Sequence, residues 1–169
     1  MLCMPEPDPI REARRQWVAH GWEDSADGMA LVTSLMRAQQ LLAERIDAEL
    51  RPLNLTFARY EVLRLLAFTK QGCMRMTRLG SLLQVHPTSV TSAVDRLVRQ
   101  GFVERARREG DRRVVLAAIT PAGRAVVEEA TERLNEAVFS RPGLPAAEVA
   151  ELTGLLGRLR AEAGDVVTI

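Results

Sequence analysis

The stretch from His86 to Arg124 restricts the possible folds of this chain more than any other part: HPTSVTSAVDRLVRQGFVERARREGDRRVVLAAITPAGR. Its first half has apolar residues at helical spacing, which places on one face Val90, Ala93, Val94 and Leu97. Gly101 is the residue type that commonly follows a helix end. The second half has the pattern of two strands joined by a tight turn at Glu109-Gly110. A helix followed at once by a hairpin is therefore predicted.

The segment before this stretch predicts a second short helix. MTRLGSLLQV is capped by Thr77, and Pro87 occupies the first position of the next helix. Two short helices joined by a tight turn and followed by a two-stranded hairpin form a winged helix-turn-helix. We therefore predict a recognition helix at residues 87–100 and a wing at residues 102–120.

The polar face of the predicted recognition helix carries short hydroxyl side chains. A helix in the major groove of DNA needs such small hydrogen-bonding groups at the base edges. They are Thr88, Ser89, Thr91 and Ser92. Arginines flank the tip of the predicted wing, where they can reach the minor groove or the phosphates. These are Arg107, Arg108, Arg112 and Arg113.

Positive charge is concentrated in this part of the chain, although the net charge is only +1. Residues 75–113 contain nine arginines and four acidic residues, giving +5, whereas residues 121–169 give −3. Such a local excess suits a polyanion, because contacts with phosphates release counterions. A solvated charged surface accounts for the same charges, so charge alone leaves both readings open.

The remaining chain is predicted to be helical, with boundaries marked by capping residues and prolines. The helix starts are indicated by Asp8, by Ser25 or Asp27, by Thr56, by Thr120-Pro121 and by Pro145. A loop from Gly21 to Gly28 separates the first two helices, and Pro52 ends the second. The predicted fold class is therefore mainly α with a small β-hairpin wing.

Two motifs carry a family resemblance. GSLLQVHPTSVTSAVDRLVRQGFVER followed by GDRRVVLAAITPAGR resembles the MarR family of bacterial transcription regulators. The Asp-Arg-Arg of the wing and the Thr-Pro-x-Gly that opens the next helix are typical of that family. The resemblance covers about residues 28–160, with the elements in the family's order.

The resemblance implies a homodimer that binds double-stranded DNA. Each winged domain would bind half of a near-palindromic operator, and a small-molecule effector or a redox input would change the affinity. The implied division is an N-terminal extension at residues 1–27, a helical dimerisation region at residues 28–55 and 121–169, and a DNA-binding domain at residues 56–120.

The resemblance also implies which residues contact DNA. From the recognition helix these are His86, Thr88, Ser89, Thr91, Ser92 and Arg96. From the wing, Arg112 and Arg113 are expected as contacts, with Arg107 and Arg108 beside them, and Asp111 is expected to brace the arginines. A structural role for Thr88 in the first helical turn is an alternative.

The N-terminal extension indicates an effector site. Its helix with Trp17, followed by Trp22, resembles the subgroup of these regulators that binds urate or small organic acids. Urate-type members have Trp-Asp where this chain has Tyr60-Glu61, which argues against urate itself. The expected ligand-binding residues are Trp17, Trp22, Arg37, Arg59, Tyr60 and Glu61, and the expected ligand is an organic acid. The tryptophans are equally suited to a packing brace.

Other function classes find less support in the sequence. There is no nucleophile–base pair, glycine-rich phosphate loop or metal-ligand spacing, so no enzyme, metal or cofactor is expected. Cys73 lies near Lys70 and Arg75, which leaves open a redox-responsive regulator. A winged-helix protein-interaction module without a ligand is the other alternative. No apolar run of membrane-spanning length and no signal-peptide core occur, so a cytoplasmic protein without a membrane partner is expected.

Overall fold

The computed structural model describes residues 8–83, 87–108 and 111–167. For residues 87, 107, 108 and 111–114 only the backbone is described. The chain divides into two compact units, Met1–Ala48 and Glu49–Ile169, which are treated separately below. Among the described helices, none combines the length and apolar character that a membrane crossing requires.

The first unit consists of α1 (Pro9–Ala19) and most of α2 (Glu23–Leu50). As predicted, Asp8 caps α1 by accepting a hydrogen bond from the backbone N–H of Ile10 at 3.0 Å. The predicted loop up to Gly28 is wrong, because α2 already begins at Glu23. Ser25 and Asp27 therefore lie inside the helix and do not cap it.

The early start of α2 has an electrostatic and a conformational reason. Glu23 and Asp24 lie in its first turn, where negative charge is favoured by the helix dipole. A glycine inside a helix costs only about 1 kcal/mol, so Gly28 does not prevent the helix from extending through it. Asp27 instead forms an ion pair with Arg14 of α1 at 2.6 Å.

The second unit contains the remaining helices. They are α3 (Phe57–Phe68), α4 (Met76–Leu83), α5 (Pro87–Arg99), α6 (Pro121–Leu134) and α7 (Ala146–Glu162). A short 3-10 turn at Arg51–Leu53 precedes α3, and a π-helical turn at Asn135–Phe139 extends α6. The predicted caps Thr56 and Thr120 are confirmed, since each side chain accepts a hydrogen bond from the backbone N–H three residues ahead.

A three-stranded antiparallel sheet accompanies the helix-turn-helix, with one strand before it and two strands after it in the chain. Its strands are β1 (Cys73–Arg75), β2 (Val103–Arg108) and β3 (Asp111–Ile119), in the order β1-β3-β2. The predicted hairpin is confirmed as β2 and β3, whereas β1 was not predicted. Because β1 leads directly into α4 at Met76, the predicted cap Thr77 is wrong and lies within the helix. The expected turn at Glu109-Gly110 lies outside the described residues.

The core of the second unit is formed where α3, α4, α5 and α6 meet. Its largest fully buried side chains include Leu63, Leu66, Leu79, Leu97, Val94, Val127 and Leu134. On α5 the predicted apolar face is buried at Val90, Val94 and Leu97, each at most 2% exposed. Each such side chain contributes about 1.5–3 kcal/mol to the free energy of folding. The apolar face of α5 thus fixes its orientation on the unit.

Gly123 in the first turn of α6 allows that helix to approach the backbone of Phe102, the residue before β2, closely. A Cβ atom at this position would overlap the carbonyl oxygen of Phe102 and lie 2.9 Å from Cγ1 of Ile119. We expect Gly123→Ala to lower the free energy of unfolding by about 1–3 kcal/mol. Gly154→Ala is the matched control, because a Cβ in the middle of α7 meets nothing within 4 Å.

Denaturant unfolding of the two variants checks this prediction. The control is expected to gain up to about 1 kcal/mol from the higher helix propensity of alanine. If Gly123→Ala unfolds at the same midpoint as the wild-type protein, the proposed close approach of α6 to Phe102 is wrong.

Candidate nucleic-acid interface

The outward face of α5 gathers most of the residues predicted to contact DNA. Thr88, Ser89, Thr91, Ser92 and Arg96 are all exposed. They lie opposite the buried valines and leucine, as the helical spacing requires. The structure therefore places these five predicted residues on one polar surface of the second unit.

A groove of about 530 Å³ runs along this surface between the first turn of α3 and α5. Its lining combines hydroxyl groups, two small alanines and three arginines, and it contains no acidic residue. The lining residues are Thr56, Ala58, Arg59, Thr88, Ser89, Ser92, Ala93, Arg96 and Arg99. We call this feature the α3–α5 groove.

An ion pair ties α5 to the hairpin. Asp95 contacts Arg105 of β2 at 2.7 Å between Oδ1 and Nη2, and both side chains are partly exposed. Asp95 is the only acidic residue of α5. Because it is engaged by the wing, the arginines of α5 have no carboxylate from their own helix to neutralise them.

The predicted wing residues lie at the far end of the hairpin. The backbones of Arg107 and Arg108 belong to β2, and those of Asp111, Arg112 and Arg113 belong to β3. A register shift separates Arg107 from Arg108. The side chains of these five residues are outside the described part of the structure, as is the whole of His86. Their roles in DNA binding stay predictions.

Arg59 is held in the α3–α5 groove by neutral oxygens. Its Nη1 donates to the carbonyl oxygen of Asn54 at 2.8 Å and to Oε1 of Gln100 at 3.0 Å. Its Nε donates to Oγ1 of Thr56 at 3.2 Å. Burial lowers the pKa of Arg59, and the positive charge of Arg96 lowers it further. The sequence assigned Arg59 to an effector site, whereas the structure places it beside the recognition helix.

Tyr60 and Glu61, the neighbours of Arg59 in the predicted effector site, face different surroundings. Tyr60 is only 6% exposed, and its hydroxyl lies 3.2 Å from Oγ1 of Thr131 on α6. It therefore packs in the core of the unit, and its role in effector binding stays a prediction. Glu61 is half-buried, and burial raises the pKa of its carboxyl above the ordinary value.

The predicted effector residues of the first unit lie on α1, on α2 and at their junction. The rings of Trp17 and Trp22 meet edge to face with centroids 5.3 Å apart, and His20 stacks on Trp22 at 5.8 Å. Trp17, His20 and Trp22 thus form one aromatic cluster at the junction of α1 and α2. Arg37 lines a separate cavity of about 460 Å³ between the start of α1 and α2.

Among the described residues, Cys73 has neither a disulfide partner nor a set of metal ligands around it. It is a free, half-buried thiol in β1, and it lines a cavity that also contains Arg75 and Arg78. Within the described residues, no group of three or more histidine, cysteine, aspartate or glutamate side chains is arranged to hold a metal ion.

Two features of this surface were missed in the sequence. The Asp95–Arg105 ion pair joins residues ten positions apart on a helix and a strand. The contact of Arg59 with Gln100 spans 41 positions. Helical periodicity describes neighbours within one element, so it gives no signal for either contact.

Known proteins of the same fold include close sequence relatives. The structure of Sco5413, a MarR family transcriptional regulator from Streptomyces coelicolor, is 47% identical with a TM-score of 0.74. The alignment covers 84% of this chain and 99% of that one. The chain belongs to the MarR family. The family model, described as MarR family, matches residues 55–115, from just before α3 into β3.

Two further solved structures resemble the chain. A mutant of Escherichia coli MarR in complex with operator DNA is 28% identical with a TM-score of 0.71, covering 80% of this chain and 96% of that one. Bordetella bronchiseptica BpsR, whose DNA binding is regulated by 6-hydroxynicotinic acid, is 27% identical with a TM-score of 0.66. That alignment covers 76% of this chain and 97% of BpsR.

Membership in the MarR family confirms two of the predictions. The fold class is a winged helix-turn-helix that is mainly α-helical with a small sheet. The chain is a transcriptional regulator and not an enzyme, because the family and the relatives named above are regulators.

Proposed function

We propose that this MarR-family regulator is a homodimeric repressor that binds a pseudo-palindromic operator and leaves it when a small organic acid binds. The observation that carries the DNA-binding part is the outward face of α5. It combines four short hydroxyl side chains with Arg96 and lies next to a groove without acidic residues. Hydroxyls and arginine are the groups that contact base edges and phosphates in the major groove.

The wing completes the interface in this proposal. The backbones of Arg112 and Arg113 lie near the start of β3, and we infer that their side chains reach the minor groove or the phosphates as those of a wing do. The E. coli relative in complex with operator DNA supports this mode of binding. We propose that the α5 hydroxyls read bases and that the wing arginines bind backbone.

We expect the double variant Arg112→Ala with Arg113→Ala to bind every duplex more weakly. Phosphate contacts carry no sequence information, and each contributes about −0.9 to the slope of log affinity against log salt, so the slope should flatten. Ser92→Ala is expected instead to change base preference and leave the slope intact. Fluorescence anisotropy with a promoter duplex and a scrambled duplex, over a salt series, measures both effects. An unchanged affinity in the double variant rules out the wing assignment.

Uncovered apolar surfaces support the proposed homodimer. On α7, Leu152, Leu155 and Leu159 are 44–46% exposed, and none of its residues is buried. In the first unit, α2 exposes Leu31, Val32, Leu35, Met36, Leu41 and Leu42. Apolar helix faces of this size are stabilised when a second chain covers them, at about 25 cal/mol per Å².

We expect Leu155→Glu to convert the dimer into a monomer or an aggregate, because it places a charge in the proposed interface. Ala150→Glu is the control, since it adds the same charge on the side of α7 away from the leucines. Sedimentation velocity at micromolar concentration distinguishes the species. A folded wild-type monomer under these conditions contradicts the proposal.

The effector proposal rests on charge, aromatic side chains and one relative. BpsR responds to 6-hydroxynicotinic acid, an aromatic organic acid. In the first unit of this chain, Arg37 lines a cavity and supplies a cation for the carboxylate of such an acid. Trp17 and Trp22 form an aromatic cluster apart from that cavity. Binding would shift the population of dimers away from the DNA-competent spacing of the two α5 helices.

We expect an aromatic carboxylate to change tryptophan fluorescence and to release the operator duplex at the same concentrations. In a transcription assay from the operator-bearing promoter, the same acid should raise transcript levels. Arg37→Gln should weaken the response, whereas Arg133→Gln on α6, which removes an equal charge elsewhere, should not. If no acid in a panel of aromatic carboxylates releases DNA, the effector assignment is wrong. If the acid lowers transcription, the repressor assignment is wrong.

A further inference from the structure

The α3–α5 groove holds more positive charge than the recognition helix alone provides. Arg59 contributes from α3, and Arg96 and Arg99 contribute from α5. Neither α5 arginine has an ion-pair partner within the described residues, because the acid of that helix is bound to Arg105. The groove thus brings cations from two helices together without a carboxylate.

Arg59 is oriented so that part of its guanidinium remains available. Nη1 and Nε are occupied by Asn54, Gln100 and Thr56. Nη2 has no hydrogen-bond partner in the part of the chain that the structure describes. All three partners are neutral, so they hold the group in place and leave its positive charge uncompensated. An oriented guanidinium with an open N–H edge is well suited to a phosphate oxygen.

The cost of holding these charges together indicates an anion. Burial and the nearby charge of Arg96 both disfavour the protonated form of Arg59, which is the direction of its pKa shift. Arginine nevertheless remains charged near neutral pH. An anion in the groove relieves the repulsion between Arg59 and Arg96, whereas a neutral ligand leaves it in place.

The remaining lining residues suit a sugar–phosphate backbone. Ala58 and Ala93 have small side chains, which leaves room for a backbone to approach between the two helices. Thr56, Ser89 and Ser92 add hydroxyl donors along the same groove. The groove also lies directly beside the α5 face that is proposed to enter the major groove. A strand bordering that major groove therefore passes the α3–α5 groove.

We propose that Arg59, together with Arg96, binds one backbone phosphate of the DNA at the edge of the major groove that α5 reads. This inference rests on the proposed DNA-binding function and adds α3 to the interface. Arg59 is thereby a DNA contact that sets the register of α5 on the duplex and is not an effector ligand.

The test compares Arg59→Gln with Arg59→Lys and with the control Arg133→Gln. Arg59→Gln removes the charge and keeps an amide near Thr56 and Asn54. Arg59→Lys keeps the charge but lacks the planar guanidinium with its several N–H donors. Arg133 serves as the control because it is paired with Glu129 on α6. Affinities are measured by anisotropy for a promoter duplex and a random-sequence duplex of equal length over a salt series.

We expect Arg59→Gln to lower the affinity for both duplexes by roughly tenfold or more, the effect of losing a hydrogen bond to a charged group. The salt slope should fall by about 0.9, the contribution of one phosphate. Arg59→Lys should keep the wild-type slope, and Arg133→Gln should keep both slope and affinity.

A purely structural role for Arg59 makes a different prediction. Arg59→Gln would then lower affinity with an unchanged slope, and Gln100→Leu, which removes the bridge without changing charge, would lower it equally. Either an unchanged slope or an unchanged affinity in Arg59→Gln overturns the phosphate contact. If Arg59→Gln does not fold, Gln100→Leu decides instead. The phosphate contact requires this variant to keep an affinity near that of the wild-type protein, because Arg59 retains its charge and its bonds to Asn54 and Thr56. The structural role requires the loss of affinity. If the wild-type protein shows no salt-dependent binding to either duplex, the proposed function fails and not this inference alone.

Discussion

The packing of α5 against the rest of the second unit is the constraint on which the DNA-facing surface depends. Val90, Val94 and Leu97 are buried where α5 meets α3, α4 and β2. Rotating the helix by one residue would expose these side chains and bury hydroxyl groups instead, at a cost of several kcal/mol. The polar face therefore points outward because the apolar face has only one place to pack.

The net positive charge of that surface depends on a single ion pair, which engages the acidic residue of α5. Asp95 contacts Arg105 and so links the recognition helix to the wing. An exposed pair of this kind adds little stability, about 0–1 kcal/mol. Its larger consequence is that, among the described residues, Arg96, Arg99 and Arg59 form no ion pair with a carboxylate. The surface next to α5 is thereby suited to a polyanion, which the formal charge of the segment alone did not establish.

Features of the structure that depend on local pattern were predictable from the sequence. The spacing on α5, the caps Thr56 and Thr120, and the β2–β3 hairpin depend on neighbours a few positions apart, and all are confirmed. Features that depend on tertiary contact were not. Strand β1 has three residues and exists because it pairs with β3, so it has no periodicity of its own.

Arg59 shows the same limit at the level of function. Its neighbours in sequence suggested an effector site, because Tyr60 and Glu61 match family positions in that site. Its neighbours in space are Gln100 and the lining of the α3–α5 groove, which come from segments far along the chain. Tyr60 is buried for a related reason, because Thr131 of α6 forms a hydrogen bond with its hydroxyl. The residue types predicted the chemistry of this surface. Contacts between residues far apart in the sequence determine which of them lie together on it.

The central claim is that the hydroxyl face of α5 lies in the major groove of DNA. Dimethyl sulfate tests it most directly, because it methylates guanine N7 in the major groove and adenine N3 in the minor groove. Insertion of the two α5 helices into the major groove predicts protection of guanine N7 in two clusters about one helical turn apart on the operator duplex. Protection of adenine N3 alone, or no protection at saturating protein, would contradict it.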